Sequence, residues 1–345
     1  MKSLFPRATV ALLSLAAGTT FAGAQAPTVE KSAKFGDGLY EIVASGKTDM
    51  IWVAAAGARD RSPATIYGLD ANSLEVKKTI DMTAAPAYGL GINDATQTLY
   101  TSNTRAGNVS AIDLATGKVV ATIGIEAKPK AHVMDVLVDE ATNTVYVSIA
   151  ENPASVWVID GKTNTLKTVI DSIGTTATGI AVDNATKTLY VASMGTNEIL
   201  AVDLDTKKVT RRIPTDGQRS SKLAYDAKGG RLFVTNQGSG DISVIDVKAG
   251  SVVRKVATGA GALGIDFDAT TNRIFVANRQ AGTVTIVDGT TYAVAANLPA
   301  GSLPNTIAVD PRGRAAYVTS KAKSGGRGGP AVADDNGDIV TRIKW

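Results

Sequence analysis

Apolar and polar positions follow one recurring order through most of this chain. Between Arg231 and Asp246 the sequence reads RLFVTNQGSGDISVID. Two apolar runs of strand length flank a short Gln, Gly and Ser segment, which is the pattern of a β-hairpin. The phrase returns as RIFVANRQAGTVTIVD at Arg273–Asp288. Six stretches share this frame: LYTSN at Leu99, VYVSI at Val145, LYVAS at Leu189, LFVTN at Leu232, IFVAN at Ile274 and AYVTS at Ala316. Their aromatic residues, Tyr100, Tyr146, Tyr190, Phe233, Phe275 and Tyr317, are spaced by 46, 44, 43, 42 and 42 residues. Trp52, in MIWVAAA, fits one unit earlier, 48 residues before Tyr100, which makes seven units.

Each unit keeps one internal order. A first strand ends near an Asp or Asn (LGIND, VLVDE, IAVDN, LAYDA, IDFDA, IAVDP), and a tight turn leads to the aromatic strand. A loop rich in Gly and Asn follows. A third strand then closes on an aliphatic-Asp pair at Asp70, Asp113, Asp160, Asp203, Asp246 and Asp288, and a turn such as ATGK leads to a fourth strand. Four short antiparallel strands every 42–48 residues form a propeller blade. The predicted fold is therefore all-β: a seven-bladed β-propeller of four-stranded antiparallel blades, a ring that leaves few exposed sheet edges. A stacked solenoid would need polar capping repeats, and none is visible.

The chain ends test this reading. The seventh unit has strands at Thr306–Asp310, Ala316–Ser320 and Asp338–Trp345, and then the chain stops without a fourth. Near the other end, TVEKSAKFGDGLYEI resembles VVRKVATGAGALGIDF, a fourth strand and its sequel. Residues 27–34, with Thr28–Lys34 as the strand, are thus expected to form the outer strand of the last blade and tie the ring shut. Upstream, Lys2 and Arg7, the apolar run Ala8–Ala17 and the small-x-small triplet Ala22-Gly23-Ala24 read as a secretory signal peptide over 1–24. The expected mature chain, 25–345, is one propeller domain. Its expected compartment is the periplasm, with no membrane insertion.

The FVTN, FVAN, YVTS and YVAS elements resemble the YVTN-type propeller repeat. Together with GDGLYEI, LDANSLEVKKTI, VDEATNTVYVS and RQAGTVTIVD, they make the chain similar to the YncE family of periplasmic seven-bladed propellers from about Phe35 to the C-terminus. The resemblance is specific for fold. It says little of activity, because propellers host binding, scaffolding and unrelated chemistries.

Charge and chemistry narrow the function classes. The formal charge of +4 falls to +2 without Lys2 and Arg7, since no acid precedes Glu30 (4 − 2 = 2). There is no cysteine, which excludes disulfides and thiolate ligands. The single histidine, His132, excludes a multi-histidine metal site within one chain. A lone loop histidine of this kind is ordinarily a solvated side chain. No GxGxxG opens a helix, and no cofactor is expected.

Residues that recur in every unit are expected to be structural. Asn103, Asn236 and Asn278 end second strands, where an Asn side chain can bond the turn backbone. Gly107, Gly240 and Gly282 suit turns costly to other residues, and the repeated Asp should hold the next turn. Function belongs where units depart from the frame. The second-to-third loops of units six, seven, one and two are neighbours in a closed ring. They carry Arg279; Lys321, Lys323 and Arg327 with Asp334 and Asp335; Arg59, Asp60 and Arg61; and Arg105, seven bases against three acids. Tyr40 and Tyr88 lie beside this basic arc. The same loops of units three, four and five carry Glu151, Glu198 and Asp241 and no base, an expected acidic arc. The longest of these loops, 321–337 with SGGRGGP, is expected to be mobile. At one first-strand position most units hold a small residue (Gly89, Gly179, Gly264, Thr306), whereas Glu41, Asp135 and Lys222 are charged and should face the channel mouth.

A basic arc with aromatics suits phosphate and stacked bases. The favoured expectation is a non-catalytic, monomeric binding propeller whose mouth takes single-stranded DNA or another polyanion. The alternatives are a protein-interaction platform for an envelope component and a lactonase- or lyase-type propeller enzyme.

Overall fold

The computed structural model describes residues 26–58, 62–324 and 332–345. These residues form seven four-stranded antiparallel sheets and no helix. Blade 1 spans Leu39–Asp81, blade 2 Gly89–Ile123, blade 3 Val133–Gly174, blade 4 Ala177–Pro214, blade 5 Ser220–Ala257 and blade 6 Ala262–Pro299. Blade 7 takes three strands from Leu303–Lys344 and its outer strand from Thr28–Lys34. The innermost strand of each blade packs against that of the next, and blade 7 meets blade 1, so the ring is closed.

Closure runs as the chain ends require. Thr28 pairs with Lys344 and Lys34 with Ile339, with a bulge between Val29 and Lys31. Glu30 adds an ion pair with Arg342 in the neighbouring strand. Two groups then fasten the seam to blade 1: Asp338 Oδ1 accepts from the Gly38 and Leu39 amides at 3.0 and 3.1 Å, and the Tyr317 hydroxyl donates to the Ala71 carbonyl at 2.9 Å.

The second strands carry the core. Trp52, Tyr100, Tyr146, Tyr190, Phe233, Phe275 and Tyr317 are all buried, each between blades. A fully buried aromatic is worth several kcal/mol against truncation, roughly 3–5, and the frame supplies one per blade. The outer strands are largely exposed, and those of blades 1, 4 and 5 carry paired bases at Lys77 and Lys78, Arg211 and Arg212, and Arg254 and Lys255. Charged edges of this kind oppose edge-to-edge pairing with another molecule.

The recurring polar residues are structural, one of them by a different route from that expected. Third-strand Asp residues accept from turn amides, as Asp70 does from Asn72 and Ser73 at 2.9 and 2.8 Å. Gly107 has a φ of +68°, and a Cβ there would lie 2.5 Å from the Pro129 carbonyl. The asparagines, however, do not bond turn backbone chiefly. Asn103 Nδ2 donates to Asn108 Oδ1 and Ser110 Oγ, both at 2.8 Å, and Asn236 Nδ2 donates to Asp241 Oδ1 and Ser243 Oγ at 2.7 and 2.8 Å. Buried asparagine here staples the second strand to side chains of the third.

Candidate functional site

A pocket of about 490 Å³ opens where the innermost strands meet the loops of the mouth face. Its floor follows from one position of the first strand, read round the ring as Glu41, Gly89, Asp135, Gly179, Lys222, Gly264 and Thr306. Charged and small residues alternate over the first six. The glycines are required by close approach. A Cβ on Gly89 would sit 2.4 Å from the Met134 carbonyl, on Gly179 2.7 Å from the Lys222 Cα, and on Gly264 2.6 Å from the Asn305 carbonyl. Between these close-packed strands the Lys222 ammonium reaches across the channel to Glu41 Oε2 at 2.8 Å and to Asp135 Oδ1. One lysine of blade 5 thus joins blades 1 and 3.

This triad sits largely out of water, with 25, 13 and 15% of the Lys222, Glu41 and Asp135 side chains exposed. Burial raises the Glu41 carboxyl above its ordinary value despite the nearby Lys222 ammonium, and the Asp135 charge adds to the rise. Burial alone would pull Lys222 down, but its two carboxylate partners prevail and hold it above the usual lysine range. Both channel carboxylates are already satisfied by an ammonium, so the place a divalent cation would take between them is filled.

Above the floor, one wall is cationic. Arg105 and Arg279 come from the loops of blades 2 and 6, Lys321 ends the second strand of blade 7 rather than lying in its loop, and all three line the pocket. None stands in an ion pair among the described residues. Arg279 Nη1 donates to Asn305 Oδ1, and Asn305 in turn donates to the Tyr40 carbonyl at 3.2 Å. Burial pulls both the Arg279 guanidinium and the Lys321 ammonium below their ordinary values, with Tyr40 opposing in each case. Cations stripped of water and left without an anion are costly, and an anionic ligand relieves that cost.

Tyr40 and Tyr88 meet edge-to-face with centroids 4.5 Å apart. Lys321 Nζ lies 3.5 Å from the Tyr40 centroid and the Arg105 guanidinium 5.4 Å from that of Tyr88. The two rings therefore seat cations on their faces and hold the basic wall in place. That differs from the stacking platform expected of them.

Other expected members fall elsewhere. Lys323 lies outside the pocket, on a separate rim groove with Lys34 and Asp335, and its amide donates to Asp334 Oδ2 at 2.8 Å. Arg59, Arg61 and Arg327 lie outside the described residues, as does the middle of the 321–337 loop. The described ends of that loop are tied down, since Asp334 also accepts from Ser302 Oγ at 2.6 Å. The acidic arc is neutralised: Glu151 faces Lys128 at 3.9 Å, Glu198 Arg212 at 3.2 Å and Asp241 Lys255 at 2.9 Å. Two of these bases, Arg212 and Lys255, stand on outer strands beside their acids, a pairing that a survey of the loops alone overlooks.

Sequence reasoning also missed Asp266. It stands two residues beyond Gly264, where the other units hold Val43, Gly91, Leu137, Ala181, Ala224 and Ala308. Burial pushes its carboxyl up to about 6, although the Val309 amide donates to Oδ2 at 2.8 Å. The available signal was a charge at an otherwise apolar or small position of the frame.

Fold and site together define a seven-bladed propeller with a charge-lined pocket over a plugged central channel. The model of the YNCE-like beta-propeller family matches residues 137–325, more than half of the chain. The chain belongs to that family. Among curated relatives, uncharacterized YncE proteins of Salmonella typhi and Escherichia coli O157:H7 are each 32% identical, over 213 and 217 residues. The aligned parts cover 60 and 61% of this chain, and the same shares of the relatives. The YncE protein of Escherichia coli strain K12 is 33% identical over 184 residues, 51% of this chain and 52% of its own length. The chain thus spans about three fifths or less of these relatives in alignment.

Proposed function

We propose that this chain is an exported binding propeller whose mouth pocket takes an anionic ligand, and that a single strand of nucleic acid held by its phosphates fits the pocket best. The observation that carries this reading is the cationic wall. Arg105, Arg279 and Lys321 converge on one cavity without carboxylate partners among the described residues, while the channel acids below are occupied by Lys222. With the Tyr40 and Tyr88 faces taken by cations, recognition rests on phosphate charge rather than on base stacking. The leader-like segment 1–24 supports export and, with the family resemblance, a periplasmic location.

The test is a fluorescence titration with a labelled single-stranded oligonucleotide across salt. Three phosphate contacts give a slope of about −2 in log affinity against log salt, so raising salt from about 50 to about 200 mM should weaken binding roughly 20-fold. Arg105→Ala, Arg279→Ala and Lys321→Ala together should abolish the salt-dependent part. No binding at low salt, or binding untouched by the triple variant, sinks the reading. A salt-insensitive interaction with an envelope protein would then point to a platform instead.

A further inference from the structure

The mouth pocket is a cup and not a passage. Beneath it Lys222 crosses the channel from blade 5 to Glu41 in blade 1 and Asp135 in blade 3. Its volume, about 490 Å³, falls in the range of about 300–1,000 Å³ that encloses one small ligand. Proteins that hold the interior of a single strand use instead a charged groove that tracks about 4–16 nucleotides of backbone. An interior segment would have to enter and leave this cup by the same opening, whereas a strand end need only enter.

Two of the three wall cations are gathered at one residue. Lys321 Nζ lies 3.5 Å from the Tyr40 centroid. The Arg279 guanidinium is tied to the same residue, since Asn305 accepts from its Nη1 and donates to the Tyr40 carbonyl at 3.2 Å. Burial pulls Lys321 below its ordinary value, and the Arg279 charge adds to the fall. Two like charges, both withdrawn from water, are thus neighbours, and neither has a carboxylate in an ion pair among the described residues. Arg105 stands apart over the Tyr88 face, with the edge-to-face pair of rings between it and Lys321.

Charge selects among phosphates. The pocket lining carries four cationic side chains against two carboxylates, a net of +2 with both carboxylates ionised (4 − 2 = 2). An internal phosphodiester brings a single negative charge. A terminal phosphate monoester brings about −1.5 to −2 at neutral pH, with three acceptor oxygens. The monoester therefore matches the pocket in charge, and its oxygens can take the Arg279 fork and the Lys321 ammonium together.

We propose that the pocket binds the phosphorylated end of a nucleic-acid strand, with the terminal monoester between Arg279 and Lys321 and the next phosphate of the chain at Arg105. This inference rests on the reading of the mouth as a phosphate site and narrows it from the strand to its terminus. One dianion relieves the cost of two desolvated cations, which a single charge relieves only in part.

The test is a fluorescence titration of the full chain at fixed low salt with single strands of one sequence, each labelled at an internal base. One is 5′-phosphorylated, one 3′-phosphorylated, one has hydroxyls at both ends and one is closed into a circle. At least one phosphorylated strand should bind about tenfold or more tightly than the unphosphorylated one, and the circle no better than the latter. Arg279→Gln and Lys321→Gln should each erase that preference, whereas Arg105→Gln should weaken all linear strands by a similar factor. Equal, salt-sensitive binding of all four strands overturns the inference and leaves the phosphate reading standing, and so does a preference that survives both substitutions in folded protein. No binding of any strand overturns both. The comparison of strands uses the unaltered protein, so a variant that fails to fold does not decide it.

Discussion

Replacing Lys222 by Met tests the channel strut directly. The substitution keeps the length and apolar stem of the side chain and removes the ammonium that bridges Glu41 and Asp135. What remains is two carboxylates facing one another in a channel where 13 and 15% of their surfaces are exposed. Breaking a fully buried pair from one side costs about 3–5 kcal/mol. The residual exposure places this case at the lower end, about 3 kcal/mol at neutral pH. The sign of the pH dependence follows from Glu41. Burial already raises its carboxyl above the unfolded value, and losing Lys222 removes the strongest influence pulling it back. A raised carboxyl contributes stability below its unfolded value and loses it as pH rises through the folded one. The penalty of Lys222→Met should therefore be smaller near about pH 5 than near about pH 8. Urea unfolding followed by the fluorescence of buried Trp52 and Trp157 measures it. Adding Glu41→Gln and Asp135→Asn should recover most of the loss, because neutral groups need no counter-charge. A penalty below about 1 kcal/mol, the range of surface pairs, would refute the reasoning, as would a penalty independent of pH or a triple variant no better than the single.

Two further outcomes are expected. Deleting Thr28–Lys34 exposes the edge at Ile339–Lys344 and removes Glu30 from Arg342, so the ring should lose cooperativity, seen as a broadened thermal transition and rapid proteolysis within blade 7. Asp266, with its carboxyl pushed up to about 6, should make the protein lose stability as pH rises from the ordinary carboxylate range through about 6. Asp266→Asn should flatten that slope in unfolding experiments across the range, and an unchanged slope would assign it to another group.

Much of the fold was legible because its determinants are local. Hairpin turns, aliphatic-Asp strand ends and one aromatic per second strand all act within a single unit of 42–48 residues. Even closure was readable, since a blade short of one strand and an unassigned strand at the other end have one economical solution. The site was legible in part. The loops of blades 2 and 6 and the end of the second strand of blade 7 did bring Arg105, Arg279 and Lys321 to one pocket, because neighbouring units place equivalent segments side by side. Lys323 escaped the same logic because its loop folds back on Asp334.

The sequence by itself thus determined the sheets, their number and their order, since each follows from contacts near in the chain and repeated seven times. Only the tertiary structure decided which side chains meet across the channel. Lys222 finds Asp135 at a separation of 87 residues and Glu41 at 181, and no local pattern encodes such pairs. It also decided that Tyr40 and Tyr88 seat cations and that the acidic loops are neutralised by bases such as Arg212 and Lys255. The reason is physical: a repeat specifies the backbone through short-range bonds and burial, whereas charges settle by the distances that ring closure creates.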